Sequence, residues 1–187
     1  MLKWLKRLGK GFALVLVLFG FYVVYLKMSG NFHEVIAGEL YRSAQPTSAQ
    51  LDRYVAQYKI RTVINLRGAD LNTDWYREEI AESSRLGLNH VDFKMSASQE
   101  LSIDEVRQLI AIMRDAPKPL LIHCKAGSDR TGLAAVIYTQ QIAGYNEELA
   151  ELQLSPYYGH VGIPLLSPTF AMDVTWEKIE KAFGIES

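Results

Sequence analysis

The chain has 187 residues, with 20 Lys and Arg against 21 Asp and Glu and a net charge of −1, a balance that offers no basic surface for nucleic acid. Its length suits one domain plus a short appendage, ample for a core. The single cysteine excludes an internal disulfide and leaves that thiol without a resolving partner in the chain.

Phe12 to Leu26 is an uninterrupted apolar run, preceded by Lys3, Lys6, Arg7 and Lys10 and followed by Lys27. As a helix it reaches roughly 22 Å against a hydrocarbon core of ~30 Å; Lys10 and Lys27 can snorkel, and Trp4, Leu5 and Leu8 extend the apolar length. A cleavable signal peptide has the same basic and apolar parts, but Tyr25 to Asn31 is a poor small-x-small site. The expectation is a single-pass N-terminal transmembrane helix anchoring the chain to a membrane over residues 1–30, with the catalytic domain over 31–187. Four basic residues before the run favour an N-terminus in the cytoplasm and a domain outside it.

Phe32 to Leu40 reads as a short extended segment turning at Gly38. It leads to Tyr41-Arg42-Ser43-Ala44-Gln45-Pro46, where Arg42, if buried, needs an acidic partner or an anion. Thr47 or Ser48 caps a helix to about Gln57, and Arg61 to Leu66 alternates into a strand. Asn72 or Thr73 opens a helix ending near Gly87, and Asn89 to Lys94 is the next strand. Ser102 and Glu105 form a capping box for a helix over Ile103 to Asp115, which Pro117 and Pro119 stop. Pro119 to Ile122 is a short buried strand, and Leu133 to Tyr138 reads as a helix. A short helix at 146–152, a loop over Ser155 to His160 and a final helix from Pro168 to Phe183 complete the chain. Strands followed by helices predict an α/β fold, a mostly parallel sheet of about four to five strands flanked by helices, with ligands at the carboxyl ends of the strands. Arg67, Asp70 and Asn72 fall on that rim.

Between the last strand and its helix runs His123-Cys124-Lys125-Ala126-Gly127-Ser128-Asp129-Arg130-Thr131-Gly132. A strand, a tight loop and a helix N-terminus in that order make an anion site, because loop N–H groups and the positive end of the helix dipole converge on one point. Cys124 lies at the floor of that site, where the field that binds a phosphate also stabilises a thiolate. The backbone of Lys125, Ala126, Gly127, Ser128 and Asp129 forms the phosphate cradle, and Arg130 reaches over the same anion with its planar fork. Thr131 can donate its hydroxyl to the sulfur, Gly127 permits close backbone approach, and Gly132 lets the helix pack against the strand.

His-Cys-x5-Arg-Thr-Gly after an apolar strand resembles the signature loop of the cysteine-dependent phosphatases, the protein tyrosine and dual-specificity superfamily, over about residues 32–183. The Tyr-Arg-Ser-x-Gln-Pro string similarly resembles the opening segment of small bacterial members. The resemblance implies a dual-specificity-phosphatase-like fold and a phosphocysteine intermediate on Cys124, with Arg130 holding the phosphoryl oxygens and no cofactor.

Hydrolysis by this route needs a proton donor for the leaving oxygen and a base for water. The superfamily usually supplies both from an aspartate on the loop after the preceding strand, but here Met95 to Glu100 holds none. Asp129 within the signature loop is the first candidate, as in secreted bacterial tyrosine and lipid phosphatases that this arrangement resembles; Asp92 and Glu100 are the alternatives. Asp129 has a purely structural alternative as an acceptor for loop N–H groups or Arg42. No His/Asp/Glu cluster has metal-ligand spacing, so no metal is expected.

Lys125 beside the cysteine suits a substrate more negative than a lone phosphotyrosine, and Cys-Lys-Ala-Gly resembles superfamily members that act on phospholipid head groups. The expected substrate is a phosphorylated lipid such as phosphatidylglycerophosphate or a phosphoinositide. The alternatives are a phosphoprotein, for a tyrosine or dual-specificity phosphatase, and a phosphate-binding module that turns over weakly.

Overall fold

The computed structural model describes residues 2–185. Five strands form one mixed sheet in the order β1-β2-β5-β3-β4: β1 (His33–Ile36), β2 (Leu40–Ser43), β3 (Thr62–Asn65), β4 (Asn89–Asp92) and β5 (Leu120–His123). β1 and β2 form an antiparallel hairpin where the sequence suggested only an extended segment, and the other neighbours pair in parallel. Every residue of β5 is fully buried, as expected of a central parallel strand covered on both faces.

Alternation along the strands sends side chains into two cores. Leu40, Ile64, Leu120 and Ile122 pack with Val106, Leu109 and Met113 of α4 (Ile103–Asp115), with α5 (Asp129–Gln141), and with Met172, Trp176 and Ile179 of α7 (Ala171–Phe183). Tyr41, Val63 and Leu121 pack on the other face with Leu51 and Tyr54 of α2 (Ser48–Tyr58). The capping box of α4 forms as expected from Ser102 and Glu105, and Thr47 with Gln50 makes another at α2. The remaining helices are α3 (Asp74–Arg85) and the short α6 (Glu147–Glu151). Gly132 serves a different neighbour from the one expected: a Cβ there would stand 2.8 Å from Leu154 Cδ1, so α5 uses the glycine to meet the chain leaving α6.

The N-terminal helix α1 (Leu2–Ser29) requires a correction. The expected transmembrane helix is not found: among the described residues no helix is long and apolar enough to cross a membrane. The apolar run is short for a bilayer, and the last turns of α1 are occupied by the domain. Leu26 is buried, the Tyr22 hydroxyl donates to the Tyr157 carbonyl, and Asn31, just past the helix, donates to the Leu26 carbonyl.

Candidate active site

β5 ends at His123, Cys124 follows with only 2% of its surface exposed, and α5 begins at Asp129. Between them the loop carbonyls are held on its outer side. Gln45 N donates to Lys125 O at 3.4 Å and Asn31 Nδ2 to Ala126 O at 3.0 Å. Arg42 Nη2 donates to Gly127 O at 2.9 Å and to Ser128 O at 3.3 Å. In a trans peptide the N–H points opposite the carbonyl, so the amides of Ala126 to Asp129 face the inner side. None of the N–H groups of Lys125 to Ser128 donates to a carbonyl among the described residues. Ser128 gives α5 no side-chain cap, which leaves its N-terminus open to an anion.

Gly127 is required twice over. Its φ is +72°, and a Cβ there would stand 2.6 Å from Ala44 N and from the Ser43 carbonyl carbon, where the loop presses on the end of β2.

Arg42 is wholly buried, with no acidic hydrogen-bond partner among the described residues. It donates to Gln153 O at 2.6 Å and Gln153 Oε1 at 3.1 Å as well as to the loop, and it stacks 3.8 Å over the Tyr158 ring. Burial lowers its pKa to about 10, against the opposing fields of Tyr158, Cys124 and Asp129. Carbonyl oxygens, rather than the acid or anion that the sequence suggested, take both terminal nitrogens of this cation, while its Nε is buried without a partner among the described residues.

Arg130 turns toward the carboxyl ends of β3 and β4, with Nη1 at 3.3 Å from Met95 O and 3.5 Å from Leu66 O. Its Nε is buried without a partner among the described residues. Thr131 Oγ1 is also buried and has no partner among the described residues, so its expected bond to the sulfur is not made here.

The three acid candidates go to three different places. Asp129 Oδ1 accepts from His160 Nδ1 at 2.8 Å and Oδ2 from the Ser128 hydroxyl at 3.0 Å. Asp92 is committed on β4 to Asn65 Nδ2 at 2.7 Å and to the Tyr76 hydroxyl at 2.5 Å, and the Tyr76 phenol is raised to about 12, first by burial and then by that bond. Glu100 pairs with Lys178 on the surface. Of the three, Asp129 alone sits on the signature loop.

Behind the cysteine lies a second polar cluster. Glu79 on α3 is buried and accepts from Gln45 Nε2 at 2.5 Å and His90 Nε2 at 2.8 Å. His123 Nε2 stands 3.1 Å from Glu79 Oε2, within ion-pair reach but without hydrogen-bond alignment. Burial pushes the Glu79 carboxyl up, and the His123 and His90 rings more than offset that and hold it at about 2. Gln45 also accepts from Arg67, whose guanidinium lies 3.4 Å over the Trp75 ring.

A cavity of about 670 Å³ opens beside the loop. Phe19, Tyr22, Val23 and Leu26 of α1 and Tyr158 give it an apolar wall, and Lys27 and Lys125 stand at its edge.

A family described as DSP-PTPase phosphatase fused to NAD+ kinase matches residues 18–160. The chain belongs to this phosphatase family. TpbA, a dual specificity protein phosphatase of Pseudomonas aeruginosa, is 32% identical over 111 residues, which are 59% of this chain and 47% of TpbA. The chain thus spans about half the length of that relative. The crystal structure of P. aeruginosa TpbA is similar with a TM-score of 0.60 at 23% identity, over 80% of this chain and 85% of TpbA. A TpbA crystal structure in complex with pTyr gives 0.55 at 25% identity, over 71% and 76%. PTPMT1 in complex with PI(5)P gives 0.60 at 16% identity, over 81% and 98%, a likeness of fold.

In this chain, the residues that sequence reasoning missed are those that arrive from far along the sequence. Asn31 binds the outside of the loop, His160 binds Asp129, and Glu79 stands against His123, while Arg42, singled out in the sequence for a different partner, binds the loop carbonyls. Local spacing carried no sign of these partnerships. The one available signal was a lone histidine in the Tyr-Gly-His turn at 158–160, in a loop otherwise without ionisable groups except tyrosine.

Proposed function

We propose that this chain hydrolyses phosphate monoesters through a phosphocysteine on Cys124. The supporting observation is the set of four loop carbonyls held outward around Cys124, which turns the amides toward the place where phosphate oxygens would sit. The phosphate dianion binds these amides and the Arg130 fork, and the Cys124 thiolate attacks phosphorus as the bond to the leaving oxygen breaks. Asp129 gives that oxygen a proton. In the second step Asp129, now a carboxylate, takes a proton from water as the water oxygen attacks phosphorus, and the thiolate leaves.

The favoured substrate is a phosphate carried on an apolar group, a phospholipid head group first among them. The cavity adjoins the loop through Lys125, Ala126 and Ser128, its aromatic and aliphatic wall suits an apolar moiety, and its two lysines suit added negative charge. The complex of PTPMT1 with PI(5)P, on the same fold, is consistent with this. A second reading is a phosphotyrosine protein, favoured by the complex of TpbA with pTyr.

The test is a panel of short-chain phosphatidylglycerophosphate, phosphoinositides, phosphotyrosine peptides and a chromogenic aryl phosphate, assayed with and without chelator and vanadate. The expected result is aryl phosphate turnover that vanadate inhibits, chelator leaves alone and Cys124→Ser abolishes, with the highest kcat/KM on a lipid phosphate. Phe19→Ala should raise KM for lipid phosphates while leaving the small aryl phosphate unaffected. Preference for the peptides would favour the second reading. No turnover of any member by the folded protein would reduce it to a phosphate-binding module.

A further inference from the structure

His160 is buried, at 2% exposure, between carboxylates from two different helices. Its Nδ1 lies 2.8 Å from Asp129 Oδ1 on α5, and its Nε2 lies 3.0 Å from Asp173 Oδ2 on α7. Both ring nitrogens are therefore occupied, which fixes the plane of the imidazole. Asp173 is itself confined, because Gly162 lies so close to its carboxylate that a Cβ there would collide with it.

The grip on Asp129 is one-sided. His160 takes Oδ1 and leaves Oδ2 beside the Ser128 hydroxyl, and Ser128 lines the cavity together with Gly159 and Val161, the residues on either side of His160. The oxygen not held by the imidazole is thus the one bonded to Ser128, a residue that lines the cavity. We infer that His160, held in turn by Asp173, is a positioning residue for Asp129: it selects the oxygen that meets the substrate and sets how tightly the carboxyl holds its proton. This rests on the reading of Asp129 as proton donor and base.

The charges agree with the geometry. Burial disfavours a charged His160, but the hydrogen bond to Asp129 and the Asp173 carboxylate outweigh it and raise its proton affinity. Burial likewise pushes Asp129 up, and the contacts from His160 and Ser128 outweigh that and lower it. The other groups facing the pair are Arg42 of β2, whose field reaches Asp129, and next to Arg42 the Tyr158 ring and Cys124. With His160 charged, Asp129 rests as the carboxylate that the second step requires. A phosphate dianion bound nearby raises its proton affinity and favours the protonated carboxyl that the first step requires.

The test compares pH profiles of kcat/KM for aryl phosphates with good and poor leaving groups in the wild type, Asp129→Asn, His160→Asn and Asp173→Asn. Asp129→Asn should remove the alkaline limb and slow poor leaving groups far more than good ones. His160→Asn should move that limb upward by about one unit, a roughly tenfold change in proton affinity, by removing the imidazolium charge. Asp173→Asn, with a partly exposed side chain, leaves the imidazolium charge in place but frees the far side of the ring, so it should slow poor leaving groups more than good ones while leaving the limb nearly where it is; an equal loss for good and poor leaving groups would overturn the inference if His160→Asn fails to fold. A uniform loss of rate with the limb unmoved would make His160 a structural tie and overturn the inference. If Asp129→Asn alters neither the limb nor the leaving-group dependence, the assignment of Asp129 fails, and the inference fails with it.

Discussion

Arg42 Nη2 and the carbonyl of Gly127 are joined by a 2.9 Å hydrogen bond across 85 residues of sequence, so a fully buried cation is spent on the backbone around Cys124. The same guanidinium reaches Ser128 and Gln153, fastening β2, the signature loop and the chain after α6 to one point. Replacing it by Met should leave the Gly127 and Gln153 carbonyls without this donor and Ser128 O with only its helical bond from Gly132 N–H. Hydrogen bonds to charged groups contribute about 1.5–3 kcal/mol each, so a loss of at least about 3 kcal/mol is expected in urea unfolding. Turnover should fall with it, and Lys, lacking the fork, should not restore either.

Gly127→Ala should be worse than its backbone angle alone implies. Gly144 has the same φ, +72°, but no atom lies within 4 Å of where its Cβ would stand, whereas Gly127 faces Ala44 and Ser43 at 2.6 Å. The left-handed conformation costs an Ala about 1–2 kcal/mol at either position. Thermal unfolding should show Gly144→Ala losing about that much, and Gly127→Ala losing more and also losing aryl phosphate turnover. Equal losses at the two sites would contradict the tight seat assigned to the loop.

Glu79 predicts how the fold responds to acid. Its carboxyl titrates near 4.5 when unfolded and at about 2 when folded. The stabilisation is therefore fully present above the unfolded value and is lost as pH falls from 4.5 through 2. That interval corresponds to roughly 3 kcal/mol by linkage. Chemical denaturation over this range should show the loss in the wild type and a flatter curve in Glu79→Gln, which should also be less stable at neutral pH because His90 and His123 lose their carboxylate.

His160 works in the opposite sense. Its folded proton affinity is raised above the ordinary value of 6.5, so the stability from its two carboxylate contacts is fully present below 6.5 and is lost as pH rises through the folded value. Denaturation midpoints across the neutral range should fall with rising pH in the wild type, and the fall should shrink in His160→Asn. An unchanged slope would mean that the imidazole carries no extra proton between Asp129 and Asp173.

The elements that local chemistry governs are legible in the amino-acid order itself. The caps of α2 and α4, the buried β5 and the anion loop that follows it are written in adjacent residues, and the family match agrees with the phosphatase resemblance of that loop. What could not be read is what arrives from a distance. Arg42 reads from the sequence as a cation in need of an acid or an anion, because no spacing rule reveals that four acceptors from residues 127–153 converge on it. His160 follows Asp129 by 31 residues, and only the path after α6 brings them together. The apolar run before Lys27 reads as a membrane span because hydropathy does not show that Tyr22 bonds Tyr157, that Leu26 is buried, or that Asn31 just beyond it bonds Ala126 and Tyr158.

The most direct test is to trap the covalent intermediate. Wild-type protein quenched in acid during turnover of an aryl phosphate, then digested and analysed by mass spectrometry, should carry a phosphate on the peptide containing Cys124. Cys124→Ser should carry none there, and Asp129→Asn should accumulate more of it with a good leaving group, because its second step lacks a base. Turnover with no phosphate on Cys124 in either wild type or Asp129→Asn would contradict the account.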